Sequence, residues 1–172
     1  MELYLITGFL GAGKTTFLKN FARQFAGRRL RLIINEFGRA GVDGTLLREL
    51  DAALDEISNG SIFCACRLDQ FEAALEQAAA DAPDVVLVEA SGLADPTNVR
   101  RVLAQFPAVS YQGSVCVADA ARLEKVFSTA RACPRQLAVS SLVLLNKTDL
   151  ATEAQCAEAK ALILRANPAA RI

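Results

Sequence analysis

Eight consecutive residues, Gly8-Phe9-Leu10-Gly11-Ala12-Gly13-Lys14-Thr15, carry glycines, a lysine and a hydroxyl at the spacing that holds a polyphosphate. Gly8, Gly11 and Gly13 let the chain curl until successive backbone N–H groups, that of Ala12 among them, converge on phosphate oxygens. A helix opening near Gly13 adds its positive end. Lys14 then reaches the β- and γ-phosphates. Thr15 offers its hydroxyl to Mg²⁺, with Thr16 beside it at the start of the helix. This is the full Walker A pattern. The chain has no histidine, so a Ser-His-Asp triad is excluded and a metal site has only Cys, Asp, Glu or backbone ligands.

Three further stretches extend the chemistry. Val85-Val86-Leu87-Val88-Glu89 reads as a Walker B strand with Glu in place of the usual Asp. Glu89 is placed to hold Mg²⁺ through a water or to polarise the attacking water, which makes Lys14 and Glu89 the candidate catalytic pair. Ala90-Ser91-Gly92 follows, and Gly92 is expected to donate its N–H to the γ-phosphate. Asn35-Glu36-Phe37-Gly38 begins a glycine-rich stretch to Gly44 that reads as a switch loop, with Glu36 and Asp43 as candidate metal ligands. Asn146-Lys147-Thr148-Asp149 is an NKxD pattern. Asp149 can accept both N1–H and the 2-amino group of guanine, whereas adenine would leave this buried carboxylate unpaired at a cost of about 1–3 kcal/mol. Asn146 braces the loop, and the stem of Lys147 can lie over the base.

The elements that must position these residues follow from apolar periodicity. Strands are predicted at Leu3–Ile6, Leu30–Ile34, Val85–Val88, Gly113–Val117 and Leu142–Leu145. Helices are predicted at Lys14–Phe25, Leu68–Ala80, Asn98–Phe106, Arg122–Ala130 and Glu153–Ala166. Leu54–Ile57 and Ile62–Cys64 flank Ser58-Asn59-Gly60, the pattern of a hairpin. This alternation predicts an α/β fold, a three-layer, mostly parallel sheet of the P-loop NTPase type, with ligands at the carboxyl ends of the strands.

Composition sets the surroundings. The chain of 172 residues fits one domain, and 52% hydrophobic against 22% charged residues supplies a real core. Lys plus Arg and Asp plus Glu each number 19, which gives no basic surface for nucleic acid. The run Arg28, Arg29, Arg31 reads as a solvated helix end. No apolar stretch spans a membrane and no signal-peptide pattern opens the chain, so the expected location is cytoplasmic. Five cysteines without an export signal argue against a disulfide framework.

The glycine-rich turn GFLGAGKTT, then NEFG, then Glu89-Ala90-Ser91-Gly92-Leu93-Ala94-Asp95-Pro96, then NKTD together resemble the CobW-type P-loop GTPases, a metallochaperone group related to UreG and HypB. The likeness runs from Leu5 to about Leu150. It implies slow GTP hydrolysis with Mg²⁺, metal binding coupled to nucleotide state, delivery of Zn²⁺ or Co²⁺ to a metal-receiving target protein or to metallocofactor maturation, and dimerisation. The family usually carries Cys-x-Cys-Cys after the hairpin, but here the stretch reads Ser61-Ile62-Phe63-Cys64-Ala65-Cys66. In an extended segment Cys64 and Cys66 share one face and can grip one soft ion, with Glu36 resembling a further family ligand. The family also continues into a last strand and a smaller C-terminal domain, so residues 1–172 are expected to be a single GTPase domain ending before both. Two other functions fit Walker A: a P-loop kinase acting on a small molecule, and a binding module that uses GTP without a working metal site.

Overall fold

The structure, a computed structural model, describes residues 1–35, 44–57, 62–63 and 68–172. Among these residues six strands form one sheet in the order β3-β2-β4-β1-β5-β6, with β1 Glu2–Thr7, β2 Leu30–Asn35, β3 Ala53–Ile57, β4 Val85–Glu89, β5 Ser110–Asp119 and β6 Leu142–Asn146. Every pairing between named strands is parallel. All residues of β2 and β4 are buried, as a strand covered on both faces requires. That is why their sequences run Leu-Arg-Leu-Ile-Ile and Val-Val-Leu-Val with almost no polar break.

Among the described residues, seven α-helices cover the sheet: α1 Lys14–Ala22, α2 Gly44–Leu50, α3 Leu68–Asp81, α4 Val99–Leu103, α5 Leu123–Thr129, α6 Ala132–Ala138 and α7 Glu153–Ala166. On one face Leu5, Ile33 and Val88 pack with Phe71 and Leu75 of α3 and Val102 of α4. On the other, Ile6, Ile34 and Leu87 pack with Leu18 and Ala22 of α1. Phe17, Phe21 and Phe25 stack in series beside Tyr4, with ring centroids 5.1–5.5 Å apart. A third cluster joins β5 and β6 to α5, α6 and α7 through Cys116, Leu123, Cys133, Leu137, Val143 and Ile163.

The all-parallel arrangement gives the sheet two unlike rims. At one rim β1, β2, β4, β5 and β6 deliver Thr7, Asn35, Glu89, Asp119 and Asn146. At the other, short turns at 82–84 and 107–109 feed β4 and β5, and the N-terminal ammonium donates to the carbonyl of Ala108 at 2.8 Å. β4 and β5 flank β1 on opposite sides, which opens the crevice where such sheets bind ligands.

Four expectations change. Leu54–Ile57 lies in β3, which pairs in parallel with β2, and Ile62 and Phe63 form a turn rather than a hairpin's second arm. Ser58-Asn59-Gly60, Ser61 and Cys64 lie outside the described residues. Gly44 lies in α2 rather than in a loop. The helix predicted at Asn98–Phe106 is shorter, because Asp95 caps a 3-10 turn at Pro96–Asn98 and α4 starts only at Val99. The arginines are not a solvated helix end. Arg28 pairs with Glu2 at 3.0 Å and Arg29 with Asp84, while Arg31 is buried in β2 and bonds Asp55 and Asp81.

Candidate nucleotide site

The turn between β1 and α1 is built on left-handed backbone. Gly8, Gly11 and Gly13 have φ of 133°, 73° and 107°. Side chains strain in that region, and space is also closed. A Cβ on Gly8 would strike the carbonyl oxygen of Val117, and one on Gly13 would strike the amide of Asn146. Gly13 caps α1, whose first residue Lys14 is buried. Thr15 is half-buried and Thr16 exposed.

Glu89 ends β4 between Ile6 of β1 and Ile34 of β2. Its Oε1 accepts the Thr15 hydroxyl at 3.0 Å, while Oε2 is buried with no hydrogen-bond partner among the described residues. Burial raises the pKa of this carboxyl, opposed by the nearby Lys14 ammonium and the Thr15 hydrogen bond. An orphaned buried carboxylate oxygen next to a hydroxyl is a hard-oxygen donor pair, which fits Mg²⁺.

Gly92 lies in a tight turn after β4. The Ser91 N–H donates to Asn35 Oδ1 at 3.3 Å, the Ala94 N–H to the Ser91 carbonyl at 3.0 Å, and the Leu93 N–H to Ser91 Oγ at 3.3 Å. The Gly92 N–H, though buried, has no partner among the described residues. A buried amide without a partner is uncommon and marks a place where a ligand can supply the acceptor. Gly92 also admits no side chain, since a Cβ would come within 2.7 Å of Leu10.

The NKTD stretch meets the phosphate turn directly. Asn146 Nδ2 donates to the Ala12 carbonyl at 2.8 Å, and Lys147 Nζ donates to the Gly11 carbonyl at 2.7 Å. Pinning the Ala12 carbonyl on that side turns the Gly13 N–H, trans to it across the planar peptide, the opposite way. Lys147 itself adopts φ of 57° and reaches Asp119 Oδ2 at 2.9 Å. Asp149 sits in a 3-10 turn, Thr148–Leu150, and is exposed. On the outer side of β6, Arg171 forms a parallel bridge with Leu142, and its carbonyl accepts the Val143 N–H at 2.7 Å. A reciprocal cap between Thr152 and Gln155 then starts α7.

The structure therefore brings Gly8, Gly11, Ala12, Gly13, Lys14, Thr15, Thr16, Glu89, Gly92, Asn146, Lys147 and Asp149 to one rim. Glu36, Asp43, Cys64 and Cys66 lie outside the described residues. Three further residues support these groups, and two of them, Asp119 and Gln136, had no motif to announce them. Asn35 is 2% exposed and joins three segments: Nδ2 donates to the Ile57 carbonyl at 3.0 Å, while Oδ1 accepts from Ser91 and, at 3.0 Å, from Ile62. Asp119 holds Lys147, and Gln136 bonds the turn after β4. Asn35 opens the Asn35-Glu36-Phe37-Gly38 stretch, which did not announce its bracing role, and only a place at the carboxyl end of a strand could have pointed to Asp119.

This rim and this sheet define a P-loop nucleotide-binding domain. The chain belongs to the CobW/HypB/UreG family, whose nucleotide-binding domain model matches residues 2–172. It is 32% identical over 206 residues to the zinc chaperone CobW of Pseudomonas aeruginosa, covering 99% of this chain and 55% of that protein. It is 33% identical over 153 residues to the zinc chaperone YeiR of Escherichia coli, covering 86% and 47%. The chain thus spans about half the length of these curated relatives. Among solved structures, Zn(II)-bound YjiA GTPase from E. coli superposes with a TM-score of 0.73 at 24% identity, covering 99% of this chain and 56% of that one. HypB from Archaeoglobus fulgidus gives 0.63 at 20% identity, covering 100% and 79%. At these identities the superpositions establish the shared fold.

Proposed function

We propose that this domain binds GTP with Mg²⁺, hydrolyses it slowly, and uses the difference between its GTP and GDP states to hand a metal ion, Zn²⁺ or Co²⁺, to a target protein. The observation that carries the reading is the Thr15–Glu89 pair, with its orphaned carboxylate oxygen beside the glycine turn. The zinc-chaperone names of the relatives favour Zn²⁺ as the cargo, and the family resemblance carries the slow turnover.

In this reading Gly8–Gly13 wrap the phosphates and Lys14 neutralises the β- and γ-oxygens. Thr15 and Glu89 would hold Mg²⁺, which when bound neutralises charge on the phosphates. Glu89 also lies where it can polarise the attacking water, and the Gly92 N–H reads the γ-phosphate. Loss of that phosphate leaves Gly92 without its acceptor, and this differential contact is what a nucleotide switch needs. Asp149 selects guanine and Asn146 transmits the base loop's position to the phosphate turn. Glu36, Cys64 and Cys66 are the proposed ligands of the cargo ion, and a second copy of the chain could complete that set.

The test is direct: titrate purified protein with GTP, ATP and GDP in the presence of magnesium, and follow phosphate release. GTP-selective binding with release of phosphate is expected. Equal affinity for ATP, or a phosphorylated small-molecule product, would replace the GTPase reading. Metal stoichiometry with and without GTP, in wild type and in a Cys64→Ala/Cys66→Ala variant, tests the cargo site; equal values in both proteins remove the cysteines from it.

A further inference from the structure

Gln136 belongs to none of the motifs, yet it is 1% exposed and aimed at the turn after β4. Its Nε2 donates to the Gly92 carbonyl at 3.2 Å and to the Ala94 carbonyl at 2.9 Å. Its own carbonyl accepts the Ser140 hydroxyl at 2.6 Å, which ties it to the end of α6. One residue earlier, Arg135 pairs with Asp95, the cap of the 3-10 turn that follows. Helix α6 thus grips the segment from Gly92 to Asp95 at three points.

We propose that Gln136 is a positioning residue that aims the Gly92 N–H at the γ-phosphate; this rests on the nucleotide reading above. A trans peptide is planar, so fixing its carbonyl fixes the direction of its N–H. The Gly92 N–H lies in the peptide plane of the Ser91 carbonyl, and the Ala94 N–H holds that carbonyl. Gln136 holds the Gly92 and Ala94 carbonyls, and so keeps in place the turn in which Ala94 sets that plane. With the turn clamped, the Gly92 donor needs no reorganisation when the triphosphate arrives. Without Gln136, two carbonyls lose their donor and the turn that carries the Gly92 N–H is free to shift. GDP has no γ-phosphate, so the loss falls on the triphosphate state.

The experiment compares affinities for fluorescent GDP and a non-hydrolysable GTP analogue, with single-turnover GTP hydrolysis, in wild type, Gln136→Met and Gln136→Glu. Circular dichroism verifies the fold of each. Met keeps length and removes the donor; its preference for triphosphate over diphosphate is expected to fall about tenfold, the loss of one charge-assisted hydrogen bond. Glu keeps the shape and regains a donor only when protonated, so its triphosphate preference is expected to rise as pH falls while wild type stays level. Unchanged preference and hydrolysis in Gln136→Met, or in Gln136→Glu a preference that equals wild type at every pH, overturns the proposal and leaves the GTP reading intact. A wild type that binds neither guanine nucleotide overturns both.

Discussion

The two ends of the nucleotide site are built differently. At the phosphate end the working groups sit between central strands and are held before any ligand arrives: Glu89 between Ile6 and Ile34, Ser91 on Asn35, Gly92 and Ala94 on Gln136. At the base end Asn146 and Lys147 are tied inward to the Ala12 and Gly11 carbonyls, but Asp149 stands exposed in a turn at the sheet's outer strand. The phosphate end is preorganised by burial, while the base end borrows its order from the phosphate turn. Affinity should therefore reside mainly in the first and selectivity in the second.

The largest effect is expected from Lys14→Ala. It should weaken GTP and GDP by at least about a hundredfold in a calorimetric titration, as loss of an aimed cation in a closed site does. Comparable affinity in that variant would undo the contrast altogether. Asp149→Asn should lower GTP affinity by about ten- to a hundredfold, corresponding to 1–3 kcal/mol, and raise affinity for xanthosine triphosphate, leaving the phosphate contacts as they were. Unchanged GTP binding there would refute guanine selection by this residue. Asn146→Ala separates bracing from base reading. Because it acts through the Ala12 carbonyl, it should reduce GTP, ATP and GDP affinities alike, by about fivefold, the value of one neutral hydrogen bond. A selective loss of GTP would move Asn146 to the base.

The smallest effect concerns Glu89 and pH. Burial raises its pKa above 4.5, so the folded chain holds this proton more tightly than the unfolded one. Stability from the group is full below about 4.5 and is lost as pH rises through the raised folded value. Without magnesium or nucleotide, Glu89→Gln is expected to melt above wild type at neutral pH, with the gap closing as pH falls. The same variant should lose magnesium-dependent GTP binding. A constant gap in calorimetric melts across that range would show that the buried charge is not what the fold works against.

Much of the phosphate end was legible in the sequence because each piece is contiguous: GFLGAGKTT after a strand, Glu89 at the end of an unbroken apolar run, NKTD at the end of another. The supports were not legible. Asn35 reaches Ser91 across 56 residues and Gln136 reaches Gly92 across 44, and no spacing rule records contacts of that range. Gln136 also sits in a seven-residue helix, too short to leave a periodic signature. The strand order that sets β6 beside β5, and so brings Asn146 and Lys147 to the Ala12 and Gly11 carbonyls, is likewise not written in any single motif.

The sheet's second rim offers an experimental opening. The turns at 82–84 and 107–109 lie at the ends of β4 and β5 farthest from Glu89 and Asp119, and Pro107 and Ala108 are exposed. A dye attached at Ala108, or a short tag inserted there, would be rigidly carried by the central strands while leaving the chemistry untouched, giving a fixed reference point against which nucleotide-driven motion at the far side could be measured as a distance.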